Sequence, residues 1–213
     1  MGRTSGSSHR QLSPGSIDQI RSILDARFAA REKGITGSRK VIRSSANGIR
    51  ALHRREWDDA EELISEAGSI LGSIFEALEG HPEMVHAGFV ADAAKEYSEA
   101  RITQSIFLGQ EIPTFTDLGV DPVPYLHGLG EAVGEMRRRM LDLLRSEKLD
   151  EAEATLEHMD SIVDLLASVD YPDGMTSSLR RTTDVSRSLV ERSRSDLTAT
   201  VVQERLRQDL RSS

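Results

Sequence analysis

The chain contains no cysteine, a single tryptophan and only 4% aromatic residues. Without thiols it can form no disulfide, no thiolate nucleophile and no zinc-thiolate centre, and its six histidines show no HExxH or similar ligand spacing. Any bound metal is therefore expected to be oxygen-ligated. No apolar run approaches the ~20 residues needed to span a bilayer. The opening MGRTSGSSHRQLSPGS also lacks the hydrophobic core of a signal peptide. Both absences predict a cytoplasmic chain with no membrane partner. Ser/His/Asp arrangements are missing, and Gly34 to Ser38 is followed by Arg39-Lys40 instead of the Lys-Ser/Thr ending of a P-loop.

What is present points to helices. The 213 residues, 38% hydrophobic and 29% charged, suit one globular domain. With rings scarce and Ala, Leu, Arg, Glu, Ser and Ile abundant, the seams must be aliphatic, which predicts an all-α fold. Residues 1–15 are rich in Ser and Gly and are expected to be a disordered tail before a helical domain over 16–210. Apolar residues from Ile17 to Leu52 recur at helical spacing and predict one long helix, with Gly34, Gly37 and Gly48 as places where it bends. Asp58 or Asp59 is expected to cap a second helix ending at Gly80. Further helices are expected from about Pro82 to Leu108 and from Tyr125 to about Arg145, then, after a short connection at Lys148-Leu149-Asp150, another that ends at the turn word YPDG. A last helix is expected to bury Leu179, Val185, Leu189 and Val201.

The net charge of −8 conceals a segregated pattern. Residues 39 to 55 hold Arg39, Lys40, Arg43, Arg50, Arg54 and Arg55 without one acid, whereas 56 to 100 hold twelve acids and a single base, Lys95. Arg39, Arg43, Arg50 and Arg54 fall within ~60° on one helix face. That stripe can serve as a phosphate track, or as a face that pairs with acids of the next helix, such as Asp58, Glu61 or Glu62, or with those of another subunit. Two acidic words, AKEYSEA and GLGEAVGEM, set Glu96 with Glu99 and Glu131 with Glu135, each pair on one side of a helix. Packed together, the four can offer hard oxygen ligands to Mg²⁺ or Mn²⁺. Periodicity alone also admits the plain reading for the second pair, a solvated face opposite Leu129, Val133 and Met140. His86 precedes Glu96 by ten residues; it is either structural or a phosphate or base contact, and no partner at catalytic spacing makes it a general base.

The words AREKGITGSRKVIRSSANGIRALHRREWDDAEELI, FVADAAKEYSEA, PVPYLHGLGEAVGEMRRRM and DYPDGMTSSLRRTTDVSRSLVERSRSDLT resemble the translin superfamily. They are most similar to archaeal relatives of TRAX, the translin-associated factor X, and the resemblance covers about residues 16 to 198. It implies a bundle of about seven helices and a hollow assembly, typically an octamer, enclosing single-stranded RNA or DNA. TRAX-type subunits carry a Mg²⁺-dependent endoribonuclease site, and translin-type subunits mainly bind nucleic acid. By this resemblance Glu96, Glu99, Glu131 and Glu135 are both the catalytic residues and the ligands of Mg²⁺ or Mn²⁺. Their spacing and position make Arg39, Arg43, Arg50, Arg54 and His86 the expected nucleic-acid contacts. A homo-oligomer is expected, or co-assembly with a second family member; the alternative is an assembly that binds single-stranded RNA or DNA without cutting it. One departure stands out: Glu131 occupies a position that is aspartate in animal TRAX, so its carboxylate reaches one methylene further.

Overall fold

The computed structural model describes residues 14–212, which form nine helices and no strand. Six are long: α1 (Pro14–Arg54), α2 (Trp57–Leu78), α4 (Gly88–Leu108), α6 (Pro122–Arg145), α7 (Leu149–Ser168) and α9 (Leu179–Ser212). Three are single turns in the connections: α3 (Pro82–Val85), α5 (Phe115–Leu118) and α8 (Asp173–Thr176). Of the expected tail, residues 1–13 lie outside the described residues, and Pro14 and Gly15 already belong to α1.

The core has two halves. Val41, Leu52, Ile64, Leu71, Ala93 and Tyr97 represent the first, built from α1, α2 and α4. Ile102, Met136, Met140, Met159 and Leu166 represent the second, built from α6, α7 and α9 with the far part of α4. Ile106 and Tyr125 pack against both, so α4 and α6 form the hinge of the bundle. Their crossing is unusually close. A Cβ on Gly128 of α6 would lie 2.8 Å from Ser98 Cβ, 2.9 Å from Glu99 N and 2.9 Å from Lys95 O of α4. Only a residue without a side chain lets the two backbones meet at this height.

α1 is the one long helix expected, and its glycines serve contact, since a Cβ at Gly34, Gly37 or Gly48 would collide with Phe89, Ile74 or Ile64 respectively. Several other expectations need correction. The residue preceding α2 is Glu56, and Asp58 and Asp59 lie inside the first turn without capping it by a side-chain hydrogen bond. There they still complement the positive end of the helix dipole. The helix expected from Pro82 is divided by a bend at His86–Ala87 into α3 and α4. α6 starts earlier than Tyr125, at Pro122, where Asp121 accepts a hydrogen bond from Val123 N at 3.0 Å. In α9 Leu179 is buried, but Val185 is 54% exposed. The buried seam runs instead through Thr183, Ser186, Val190, Ser193 and Leu197, because small residues are what fits beside Gly130, whose Cβ would meet Thr182.

Candidate metal centre and nucleic-acid interface

The α4–α6 crossing turns two sequence words into one site. With Gly128 against Lys95 and Glu99, the next turn of α6 brings Glu131 alongside α4. One carboxylate oxygen from each of Glu96, Glu99 and Glu131 then lies within 4.8 Å of the others. All three residues are half-buried. The face of Glu131 and Glu135 is thus only partly solvated: the side of α6 opposite its apolar seam meets α4 at Glu131 and the end of α1 at Glu135.

Crowding has an electrostatic consequence. Burial pushes the Glu99 carboxyl up to about 8, with the negative charges of Glu131, Glu96 and Glu135 adding to it against the pull of Lys95. Lys95 is the cation in contact with the cluster, its Nζ 2.7 Å from Glu131 Oε1 and 3.3 Å from Glu96 Oε1. Burial works against its charge, yet the hydrogen bond and field of Glu131, with Glu96, hold its pKa above the ordinary lysine value.

Glu135 stands slightly apart. Its Oε2 lies 2.5 Å from Nε2 of His53, near the end of α1, and 3.9 Å from the Arg138 guanidinium. The hydrogen bond from His53 keeps the Glu135 carboxyl below the usual range despite its burial. The His53 side chain is only 5% exposed and packs edge-on to Phe107 with ring centroids 5.2 Å apart. Three carboxylates therefore cluster, and the fourth is fixed beside them as an ion by a buried histidine.

The arginine stripe is exposed along α1. Arg50 donates to Asn47 at 2.6 Å and Arg54 to Glu56 at 2.7 Å. Arg39 and Arg43 have no ion pair among the described residues, and none of the four pairs with Asp58, Glu61 or Glu62. Glu61 is taken instead by Arg101 of α4 at 3.0 Å. Measured around α1 from His53, Arg39, Arg50, Arg43 and Arg54 fall at roughly 40°, 60°, 80° and 100°. The stripe thus runs beside His53, the α1 residue that touches Glu135. His86 is elsewhere: exposed after α3, it lines a largely apolar cleft with Phe75, Val90, Pro124 and Met175. No hydrogen bond or ion pair joins it to the glutamates among the described residues.

Sequence reasoning missed His53 and Lys95 as parts of the site. A signal for Lys95 was in plain view, since it is the only base between residues 56 and 100 and adjoins Glu96. His53 had none, because nothing local shows that the end of α1 meets the middle of α6.

The same arrangement of helices occurs in known proteins. No family model matches the sequence. The crystal structure of AfC3PO superposes with a TM-score of 0.81 at 32% identity, covering 88% of this chain and 98% of that one. The chain belongs to the translin superfamily. Within it the resemblance is to the C3PO proteins. A structure of AfC3PO with duplex RNA matches with a TM-score of 0.70 at 30% identity over 88% of this chain and 97% of that one. Apo-NeC3PO, at 19% identity and a TM-score of 0.79 over 89% of this chain, shares the fold. An uncharacterised protein of Methanocaldococcus jannaschii is 28% identical over 198 residues, 92% of this chain and 87% of its own length. Among the described residues of this translin-superfamily chain, no helix is long and apolar enough to cross a membrane.

Proposed function

We propose that this translin-superfamily chain is a cytoplasmic, metal-dependent endoribonuclease acting on single-stranded RNA within a homo-oligomer. The observation that carries the reading is the convergence of Glu96, Glu99 and Glu131 within 4.8 Å, balanced by one lysine. An all-carboxylate donor set of this kind fits Mg²⁺ or Mn²⁺. These three residues would hold the ion, with Glu135 next to them. When bound, it supplies a water of lowered pKa and neutralises charge growing on the scissile phosphate.

The chain's own groups do the rest. Lys95 has to give up its carboxylate contacts to an entering cation, which frees an ammonium beside the phosphate. Glu135, held ionised by the hydrogen bond from His53, keeps a fixed negative charge beside the three clustered carboxylates, and the buried His53 keeps that carboxylate in place. Arg39, Arg43, Arg50 and Arg54 guide the strand through its phosphates with little regard for base. Assembly is supported by apolar side chains that are exposed among the described residues toward the outer ends of the two longest helices. Ile17, Ile20, Ile23, Leu24 and Phe28 are exposed on α1, the last by 64%, and Val202, Leu206 and Leu210 on α9. A hollow octamer, with or without a second family member, would place the carboxylates on an enclosed surface.

The AfC3PO complex with duplex RNA supports an RNA ligand; the second reading is an assembly that binds RNA or single-stranded DNA without cutting. A labelled RNA, given as a single strand and as a duplex with Mg²⁺ or EDTA, separates the two. Cleavage of the single strand that EDTA abolishes is the expected result. Tight binding with intact RNA in Mg²⁺ would establish the passive assembly instead.

A further inference from the structure

Immediately beyond the carboxylates, on the other side of His53, lies a cleft of about 580 Å³. It is bounded by the α1–α2 turn and by the end of α6 with the turn into α7. Four cations line it, Arg55, Arg139, Arg145 and Lys148, together with the acids Asp142 and Glu151. The acids are already engaged, Asp142 with Arg145 at 3.3 Å and Glu151 with Lys148 at 2.6 Å. Arg55 and Arg139 are left with no carboxylate at ion-pair distance among the described residues.

Arg55 is exposed at the mouth of the cleft, whereas Arg139 is set into its wall. Arg139 is half-buried, lies 4.5 Å over the Phe107 ring and donates to Phe107 O at 2.9 Å. Burial holds its pKa below the ordinary guanidinium value, and the Arg55 charge adds to that against Glu151. Arg55 closes α1 in the left-handed region, φ 62°, where its N–H donates to Leu52 O and Glu56 N–H to Ala51 O, both at 3.0 Å. That closing turn favours glycine. A long cationic side chain there, where glycine would be less strained, is a backbone cost incurred at the mouth of a cationic cleft, shared among the described residues with Glu147, Ser177 and Ser178. Beside it sits Trp57, the only tryptophan of the chain and 39% exposed. Unpaired guanidinium groups next to an exposed indole recognise a phosphate with a base stacked on it.

We propose that this cleft is a nucleotide-phosphate subsite, in which Arg55 and Arg139 hold a phosphate and Trp57 stacks on the attached base. The ligand's identity as RNA rests on the function proposed above; the site itself requires neither metal nor cleavage. Because His53 lines the cleft and also touches Glu135, a phosphate bound here lies next to the carboxylates and sets the register of the strand across them.

The lone tryptophan provides the test. In EDTA, emission of the full-length protein is recorded during titration with uridine 5′-monophosphate, with uridine, and with a five-residue oligouridylate bearing no terminal phosphate. A saturable change with a phosphate-bearing ligand and none with uridine is expected. Response to the oligomer assigns internal phosphodiesters; response to the monophosphate alone assigns a strand end. Arg139→Gln should weaken the response at least tenfold. Arg55→Gly should weaken it as well while leaving Tm equal or higher, since glycine relieves the left-handed turn. No emission change with either phosphate-bearing ligand, equal response to uridine, or full response in both variants would overturn the subsite. Glu131→Gln is expected to keep the emission response intact whatever becomes of cleavage, so failure of the nuclease reading and failure of the subsite are told apart.

Discussion

Arg139 follows Glu135 by four positions on α6, about 6 Å along the helix, and across that interval the molecule changes sign. On one side carboxylates from two helices crowd together around one lysine; on the other, two arginines stand unpaired behind a lone indole. Each region concentrates like charge where a folded chain gains nothing from it. The acidic side shows the cost openly, in a glutamate pushed up to about 8; the basic side shows it in an arginine locked in a glycine-favouring turn. Their juxtaposition fits a polyanion that needs cations at the reacting phosphate and donors at its neighbour. The comparison also separates what fixes each region. The acidic side depends on helix approach, and the basic side on two helix-ending turns.

The contrast can be broken most severely at the carboxylates. Glu131→Gln leaves two crowded acids and removes the main partner of Lys95, and cleavage in Mg²⁺ is expected to fall by about two orders of magnitude or more. Gly128→Ala attacks the helix approach itself. Its methyl group would press on the backbone of α4, at Glu99 N and Lys95 O, so stability should drop by roughly 1–3 kcal/mol. Cleavage should fall with it, because Glu131 moves away from Glu96 and Glu99. Denaturant midpoints and rates on the same variant check both, and unchanged values in both would show that the close crossing is not what builds the site.

Smaller effects belong to the outer charges. Arg43→Glu with Arg50→Glu should weaken binding of unrelated RNA sequences alike and lower the slope of log affinity against log salt by roughly two. Sequence-selective loss, or none, would return the stripe to a structural role. Smallest is the effect of Glu99 protonation on the metal-free fold. Between about 4.5 and 8 the folded chain retains a proton that the unfolded chain has released, so Glu99 makes stability decline as pH rises through that window. Glu99→Gln removes the decline, and its Tm advantage over the parent should grow from pH 5 to pH 9. A gap that stays constant with pH would contradict the crowding inferred for Glu99.

The helices were legible because their aliphatic seams repeat at 3.6 residues, and the acidic words because ExxE and ExxxE spacings put pairs on one face. Beyond that, local pattern misled in a consistent way. Val185 has the right hydrophobicity but points outward, whereas Ser186 and Ser193 are buried, since close helix approach selects for size rather than apolarity. The Glu131–Glu135 face looked solvated when taken as one helix, because its burial is created by α4 and α1. Resemblance to the translin superfamily supplied what periodicity could not. His53, Arg55 and Arg139 had no such help, as their significance comes from a cleft joining residues more than eighty positions apart.

The central claim is that Glu96, Glu99 and Glu131 form a cation site that drives RNA cleavage. Titrating metal-free protein with Mn²⁺ by electron paramagnetic resonance, while recording cleavage of a single-stranded RNA on the same samples, tests it most directly in the parent chain and Glu131→Gln. The account predicts that bound Mn²⁺ and cleavage rise together in the parent and that both are lost in the variant. Full cleavage by Glu131→Gln, or cleavage by the parent that is indifferent to bound cation, would contradict it.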